Sequence, residues 1–335
     1  MSDLKKIEFI DNPDFNRWLQ ENYQVHIEEY EYPSSEVLYN IKYEDYIEAL
    51  TRYNADPKIE LSRIEEKFPS PIAYYFYQAN NNYQNDHHRL DLLKSCWESI
   101  VFFLFGLVVA EAKHKKLPIK DIGIAWKTFW SDRLFDKLTI IENIVDFTTK
   151  RGIVFECAKF IPVATLAKIK TLNQERNSFA HAAARTAAQQ KELYKTLSPL
   201  LENILKQLIG LENVTVLRYH SSETPLIPKC EIFSGSSIEG RMAGIILKKE
   251  SYIEILDHWD ANSIFAKIND TIFCLSPFIH FAQEPHETNA VICFYKKKKR
   301  GGKYLFEVVS KAQDKEFEKG CFTAMEDQLR GLVVP

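Results

Sequence analysis

Arg176, Asn177 and His181 stand within one short run, Glu175-Arg176-Asn177-Ser178-Phe179-Ala180-His181-Ala182. A planar guanidinium can clamp the non-bridging oxygens of a phosphate, an amide can hydrogen-bond to it, and an imidazole can carry a proton near neutral pH. Together these groups suit cleavage of a phosphodiester without a metal. In that reaction one group transfers protons and another stabilises the charge of the phosphorane-like transition state.

Chemistry of this kind needs an element to hold it. Thr171 followed by Gln174 reads as a capping box, with Asn173 as an alternative cap. The sequence therefore predicts a helix entrance there, and a helix running from Arg176 to Leu208 with a kink near Pro199 and an end at Gly210. Its first turn would aim unpaired N–H groups and the positive end of the helix dipole at a phosphate. On a regular helix Asn177 and His181 share a face, whereas Arg176 lies about 140° around from His181. One copy converges poorly, so a second copy across a two-fold axis is expected to complete the site, in a homodimer. With nine histidines and twelve arginines in 335 residues, this Arg-to-His spacing arises about 0.3 times by chance. The bland alternative is a solvated arginine on one face and a buried, hydrogen-bonded histidine on another. The asparagine directly after Arg176 and the small residues Ala180 and Ala182 to Ala184 add the specificity that spacing lacks.

Arg176-Asn177-x-x-Ala180-His181 resembles the R-N-x-x-A-H form of the Arg-x4-6-His signature of the HEPN superfamily, α-helical domains found in many RNA-cleaving toxins and defence proteins. The likeness covers roughly residues 68 to 209. A softer likeness is Phe68-Pro69-Ser70-Pro71-Ile72-Ala73-Tyr74, which resembles the lead-in of some bacterial HEPN proteins. The resemblance implies a metal-independent endoribonuclease of toxin or antiphage-defence character, needing no cofactor, whose active site forms where two such domains meet. It assigns proton transfer to His181, the phosphate clamp to Arg176 and a polar helper role to Asn177. RNA is the implied substrate, with room for a regulatory or antitoxin protein partner. Some HEPN domains are not catalytic, and the matching alternative is a dimerisation, nucleotide-binding or partner-binding module.

Composition bounds the rest. The chain has 335 residues, 45% of them hydrophobic, enough for a sizeable core and more than one domain. A net charge of −3 argues against a general nucleic-acid coat, so any RNA contact must be local. Six cysteines without a C-x-x-C pair indicate neither a zinc ribbon nor a disulfide framework and suit a reducing cytoplasm. No signal peptide is visible behind Met1-Ser2-Asp3. The longest apolar run, Ile100 to Ala110, is short of the ~20 residues that span a bilayer and predicts a helix buried on most sides.

The expected fold class is α+β, an N-terminal all-α HEPN-like bundle followed by a smaller β-rich domain. Residues 1–70 read as a helical leader with strand character around Val37 to Ile41, and 71–211 as the bundle of four or five helices. Within the bundle, helices are expected at Arg89 to Lys115 and at Arg133 to Lys150 (closed by Gly152), and Thr165 to Leu172 reads as helix or short connector. Residues 212–335 carry strand-like runs at Val214 to Tyr219, Cys230 to Phe233, Gly244 to Lys248, Thr271 to Leu275, Ala290 to Tyr295 and Tyr304 to Val309, then a terminal helix over Asp314 to Leu329. The last two strands form a hairpin whose tip carries Lys296, Lys297, Lys298, Lys299 and Arg300. That tip could contact RNA phosphates or simply be a solvated turn that discourages edge pairing.

Other signals are weaker. Gly235-Ser236-Ser237-Ile238-Glu239-Gly240-Arg241-Met242 has arginine and methionine where a P-loop needs lysine and a hydroxyl, so it reads as a turn. His87 and His88 read as histidines at a helix entrance, with no second cluster at zinc-ligand spacing.

Overall fold

An apolar run with no polar face is stable in water only if it is covered all round. Ile100 to Ala110 is buried at every position, inside a helix from Asp86 to His114. The computed structural model describes residues 7–22, 34–174, 185–222, 227–260, 262–282, 291–299, 301–310 and 314–333. It is α+β, helical up to Asn213 and then built of two antiparallel sheets. The chain divides into two compact units, Met1–Ser62 and Arg63–Pro335.

The first unit holds α1 (Pro13–Asn22), α2 (Ser35–Ile41), α3 (Tyr43–Ala55) and the start of α4 (Pro57–Lys67). Its core is largely aromatic. In α3, Tyr46, Ala49 and Tyr53 recur at helical spacing and pack against Phe15, Trp18, Leu19 and Leu38. The Trp18 indole donates to Asp56 at 3.0 Å, so a buried N–H is satisfied at the unit's edge. The strand character expected at Val37 to Ile41 is overturned. Ser34 accepts from the Val37 N–H at 3.3 Å and starts a helix that buries Leu38, which outweighs the β preference of Val37 and Ile41.

The second unit is organised by α6 (Asp86–His114). Helices α5 (Ser70–Asn81), α8 (Leu134–Lys150) and α10 (Ala187–Gln207) pack on it, α9 (Val163–Gln174) bridges α8 and α10, and the single turn α7 (Trp126–Phe129) leads into α8. The expected close of α8 at Gly152 is present: the Gly152 and Ile153 N–H groups bond the carbonyls of Thr149 and Thr148, the Schellman pattern.

One sheet has the order β3-β2-β1-β4-β5, made of β1 (Val214–Ser222), β2 (Pro228–Ile232), β3 (Arg241–Gly244), β4 (Phe265–Ile268) and β5 (Thr271–Cys274). The other runs in sequence order through β6 (Ile279–Ala282), β7 (Val291–Lys298), β8 (Tyr304–Val308) and β9 (Asp314–Phe317). Two helices complete the unit, α11 (Lys249–His258) and α12 (Thr323–Val333). The strand expected at Gly244 to Lys248 sits slightly earlier, as β3, because the paired segment is Arg241 to Gly244. The terminal helix begins only at Thr323, since Asp314 to Phe317 pairs with β8 instead. Alternating side chains explain this: Lys315 and Phe317 are less exposed than Asp314 and Glu316, the period of a strand.

The change of period expected near residue 212 occurs at Val214, but helices and sheets share one core. Phe102 of α6 stacks on Phe294 of β7 with ring centroids 5.6 Å apart, and Phe105 meets Phe278 at 4.7 Å. A Cβ on Gly106 would lie 2.7 Å from the Ile279 side chain, so the glycine allows α6 to approach β6. The Phe68-Pro69-Ser70 lead-in also joins the sheet: Ser70 N–H donates to Phe233, and Gly235 N–H donates to Phe68 at 2.8 Å. Gly235 has φ +75°, and a Cβ there would meet the Glu66 carbonyl at 2.8 Å, so the glycine-rich turn serves this crossing. Of the described residues, one helix, Asp86–His114, is long and apolar enough to cross a membrane, and 83% of its most apolar window is buried within the protein.

Candidate functional site

Arg176, Asn177 and His181 lie outside the described residues, as does Arg300. Their frame is described. Thr165 Oγ1 donates to Gln207 at 2.9 Å and Lys168 Nζ donates to Asn203 at 3.2 Å, so α9 and α10 run antiparallel and the motif segment joins them. The capping box expected at Thr171 is not used. Thr171 lies inside α9 and donates to the Ala167 carbonyl at 3.1 Å. Burial of Leu166, Ile169 and Leu172 carries the helix through it to Gln174. A second Thr-x-x-Gln, at Thr186 and Gln189, is the real box: Thr186 Oγ1 accepts from the Gln189 N–H at 3.3 Å, and Gln189 Oε1 accepts from the Thr186 N–H at 3.0 Å. The helix expected from Arg176 to Leu208 is therefore broken before Ala187, and His181 precedes the entrance of α10. Pro199 lies inside α10.

The start of α10 is fixed on α5 and α6. Tyr194 donates to Asn80 at 2.9 Å, and the Arg89 guanidinium stands 3.6 Å over the Tyr194 ring and 4.3 Å over Tyr83 while donating to the Ala79 carbonyl. A stacked guanidinium is held with little freedom. His87 and His88 sit at the entrance of α6, as expected, with Asn85 accepting from the His88 N–H at 2.9 Å.

The basic run is not a tip. Lys296, Lys297 and Lys298 belong to β7, and carboxylates face three of the four lysines. Lys296 lies 3.4 Å from Glu307 and 3.3 Å from Asp314, Lys298 lies 3.3 Å from Glu326, and Lys299 pairs with Glu316. Burial alone would lower the Lys296 pKa, but Glu307 and Asp314 outweigh it and raise it. Among the described residues Lys297 has no ion-pair partner. The acidic residues that neutralise the run lie on β8 and β9, with Glu326 on α12, and the cross-strand part of the match was concealed because β9 read as helix.

A different group of residues forms a site that the sequence did not suggest. The last turns of α6 and α11 and the C-terminal half of α12 enclose a pocket of about 630 Å³, lined by Lys113, His114, Lys116, Glu254, Asp257 and His258 with Gln328, Gly331 and Leu332. Glu254 stands between two imidazoles, its Oε2 lying 3.3 Å from His114 Nδ1 and its Oε1 lying 3.3 Å from His258 Nδ1. Burial would raise the Glu254 pKa, yet the His114 hydrogen bond and the charges of His258, His114 and Lys113 outweigh it and hold the carboxyl below its ordinary value. An ionised carboxylate only accepts, so both rings must present Nδ1–H to it. His258 Nδ1 also faces the Glu254 carbonyl at 3.1 Å, a second acceptor that requires the same tautomer. In the neutral state Nε2 of each ring is then the basic nitrogen, and neither Nε2 has a partner among the described residues. About 140 residues separate His114 from Glu254, and α11 was not expected at all. The local signal was the pair Glu254 and His258, one helical turn apart.

Two other groups are structural. Ser276 Oγ lies 2.9 Å from His280 Nδ1, but both residues are buried and the ring is walled by Phe317 and Phe322. Burial pushes His280 down to about 4. The pair resembles half of a hydrolytic triad, yet neither side chain is exposed. Among the described residues no group of three His, Cys, Asp or Glu could hold a metal ion. Five cysteines are buried and Cys321 is exposed, all as free thiols.

No family model, curated protein or solved structure matches the chain.

Proposed function

We propose that this chain is a metal-independent endoribonuclease of the HEPN kind, a toxin or antiphage-defence effector that cuts RNA by 2′-OH attack and leaves 2′,3′-cyclic phosphate ends. The observation that carries the reading is the Arg176-Asn177-x-x-Ala180-His181 spacing, on a segment that joins two antiparallel helices of a bundle. His181 transfers the proton, Arg176 clamps the non-bridging oxygens, and Asn177 assists. The entrance of α10, a few residues beyond His181, offers N–H groups and a positive dipole end to a phosphate. A homodimer that faces two motif segments completes the site, and a cytoplasmic location goes with the reading.

Purified protein incubated with total RNA in EDTA tests it. Cleavage is expected, with cyclic phosphate ends, no action on DNA, and loss of activity in both His181→Ala and Arg176→Ala. Activity that survives both substitutions, or that depends absolutely on Mg²⁺, removes the motif from the chemistry.

One observation favours a second reading, the non-catalytic HEPN module that dimerises or binds a nucleotide or a protein partner. Carboxylates face Lys296, Lys298 and Lys299, which leaves the described residues of the second sheet without a continuous cation track for RNA. An inactive wild-type protein that forms a dimer in light scattering decides for this reading.

A further inference from the structure

The pocket between α6, α11 and α12 has the parts of a ligand site and contains none of the motif residues. Its volume of about 630 Å³ falls among small-molecule pockets, far larger than a single ion requires. Two lysines, Lys113 from inside the wall and Lys116 from the exposed rim, balance two carboxylates, Glu254 and Asp257. With both imidazoles neutral the lining is formally neutral. Each proton taken up by His114 or His258 adds a positive charge and, because Nδ1–H is already committed to Glu254, creates a new donor at Nε2. The pocket therefore gains attraction for an anion, and hydrogen bonds to it, only by taking up protons.

The ligand must supply several acceptor oxygens and carry its own charge near neutral pH. A phosphate monoester does both, since its second pKa is ≈ 6, close to that of imidazole. Leu332 and Gly331 offer an uncharged wall beside the polar one, room for the organic part of such a molecule. We propose that this pocket binds a small organic phosphate monoester, with His114 and His258 as proton-accepting ligands oriented by Glu254 and with Lys113 and Lys116 as fixed cations.

The charged groups around the imidazoles are few. From α6 and the turn that follows it they are Lys113 and Lys116, with Lys115 turned to Glu111 at 3.7 Å; from α11 they are Glu254 and Asp257; from α12 the lining is the uncharged Gln328, Gly331 and Leu332. On the β5 side His114 meets the Phe273 ring, 6.1 Å between centroids.

The test is calorimetric titration of the full chain with phenyl phosphate at pH 6 and pH 8. Binding is expected to be about tenfold tighter at pH 6, with proton uptake visible as a dependence on buffer ionisation enthalpy. His114→Gln and His258→Gln should each reduce that pH dependence. Lys116→Ser, at the exposed residue that closes α6 with φ +51°, should weaken binding at both pH values. Circular dichroism separates loss of binding from loss of fold. If phenyl phosphate fails to bind wild-type protein at pH 6, or binds equally well to Lys116→Ser and both histidine variants, the pocket is not this site. Binding that survives in His181→Ala, whatever that variant does to RNA, separates this inference from the ribonuclease reading.

Discussion

Replacing Lys137 by methionine tests how the shared core tolerates a charge. Lys137 of α8 is fully buried, its Nζ donating to the Ser131 carbonyl at 3.0 Å and lying 4.5 Å from the Phe105 ring, 5.3 Å from Phe102 and 5.4 Å from Tyr295. Burial lowers its pKa from 10.5 to about 7, with Asp132 and Asp136 opposing the fall. Between these values the unfolded chain holds a proton that the folded chain has released, so stability rises with pH across that window and is lost as pH falls through 7. The full gap corresponds to about 5 kcal/mol, of which about 3 kcal/mol develops between pH 6 and pH 9. Urea denaturation of wild-type protein and Lys137→Met at both pH values isolates this residue from every other titrating group. The methionine variant should gain on wild type at pH 6 by about 3 kcal/mol more than at pH 9. If its relative stability is the same at the two pH values to within about 0.5 kcal/mol, the ammonium stays charged in the fold and the surrounding rings stabilise it as a cation.

Gly106→Ala places a Cβ 2.7 Å from the Ile279 side chain and should cost about 1–3 kcal/mol in thermal unfolding, with Ile279→Ala relieving part of that cost in the double variant. In RNA-binding titrations by fluorescence anisotropy, Lys297→Ser should flatten the log–log salt slope by about one, because Lys297 has no carboxylate partner among the described residues, whereas Lys299→Ser should change it little. Equal slopes for wild type and Lys297→Ser would remove β7 from RNA contact. Lys298→Ser should lower stability, because it strips the partner from the buried Glu326 carboxylate.

Elements whose burial agrees with their local signals were legible. The apolar run of α6, the capped end of α8 and most strands after residue 214 follow from periodicity and turn residues, because tertiary packing there selects what the sequence already favours. Reading failed where two local signals competed. Thr171 and Thr186 both head a Thr-x-x-Gln pattern, and only the burial of Leu166, Ile169 and Leu172 in α9 decides between them. Asp314 to Phe317 has three charges and one aromatic that fit a helix face, until β8 supplies a neighbour that makes alternation the better pattern.

The same distinction separates the two candidate sites. The Arg176 to His181 motif is contiguous, so sequence alone can express it, and its chemistry stands or falls with a few adjacent residues. The imidazole pocket is assembled from three helix ends far apart in the chain. No spacing rule connects His114 with Glu254, and the residue that fixes both tautomers is an ordinary glutamate on an unremarked helix. What makes Glu254 informative is valence: an acceptor-only group between two rings determines which nitrogen of each is left to act. Such a constraint exists only once α6 and α11 are packed, and for that reason a chain can show its motif in the sequence and keep its second site in the fold.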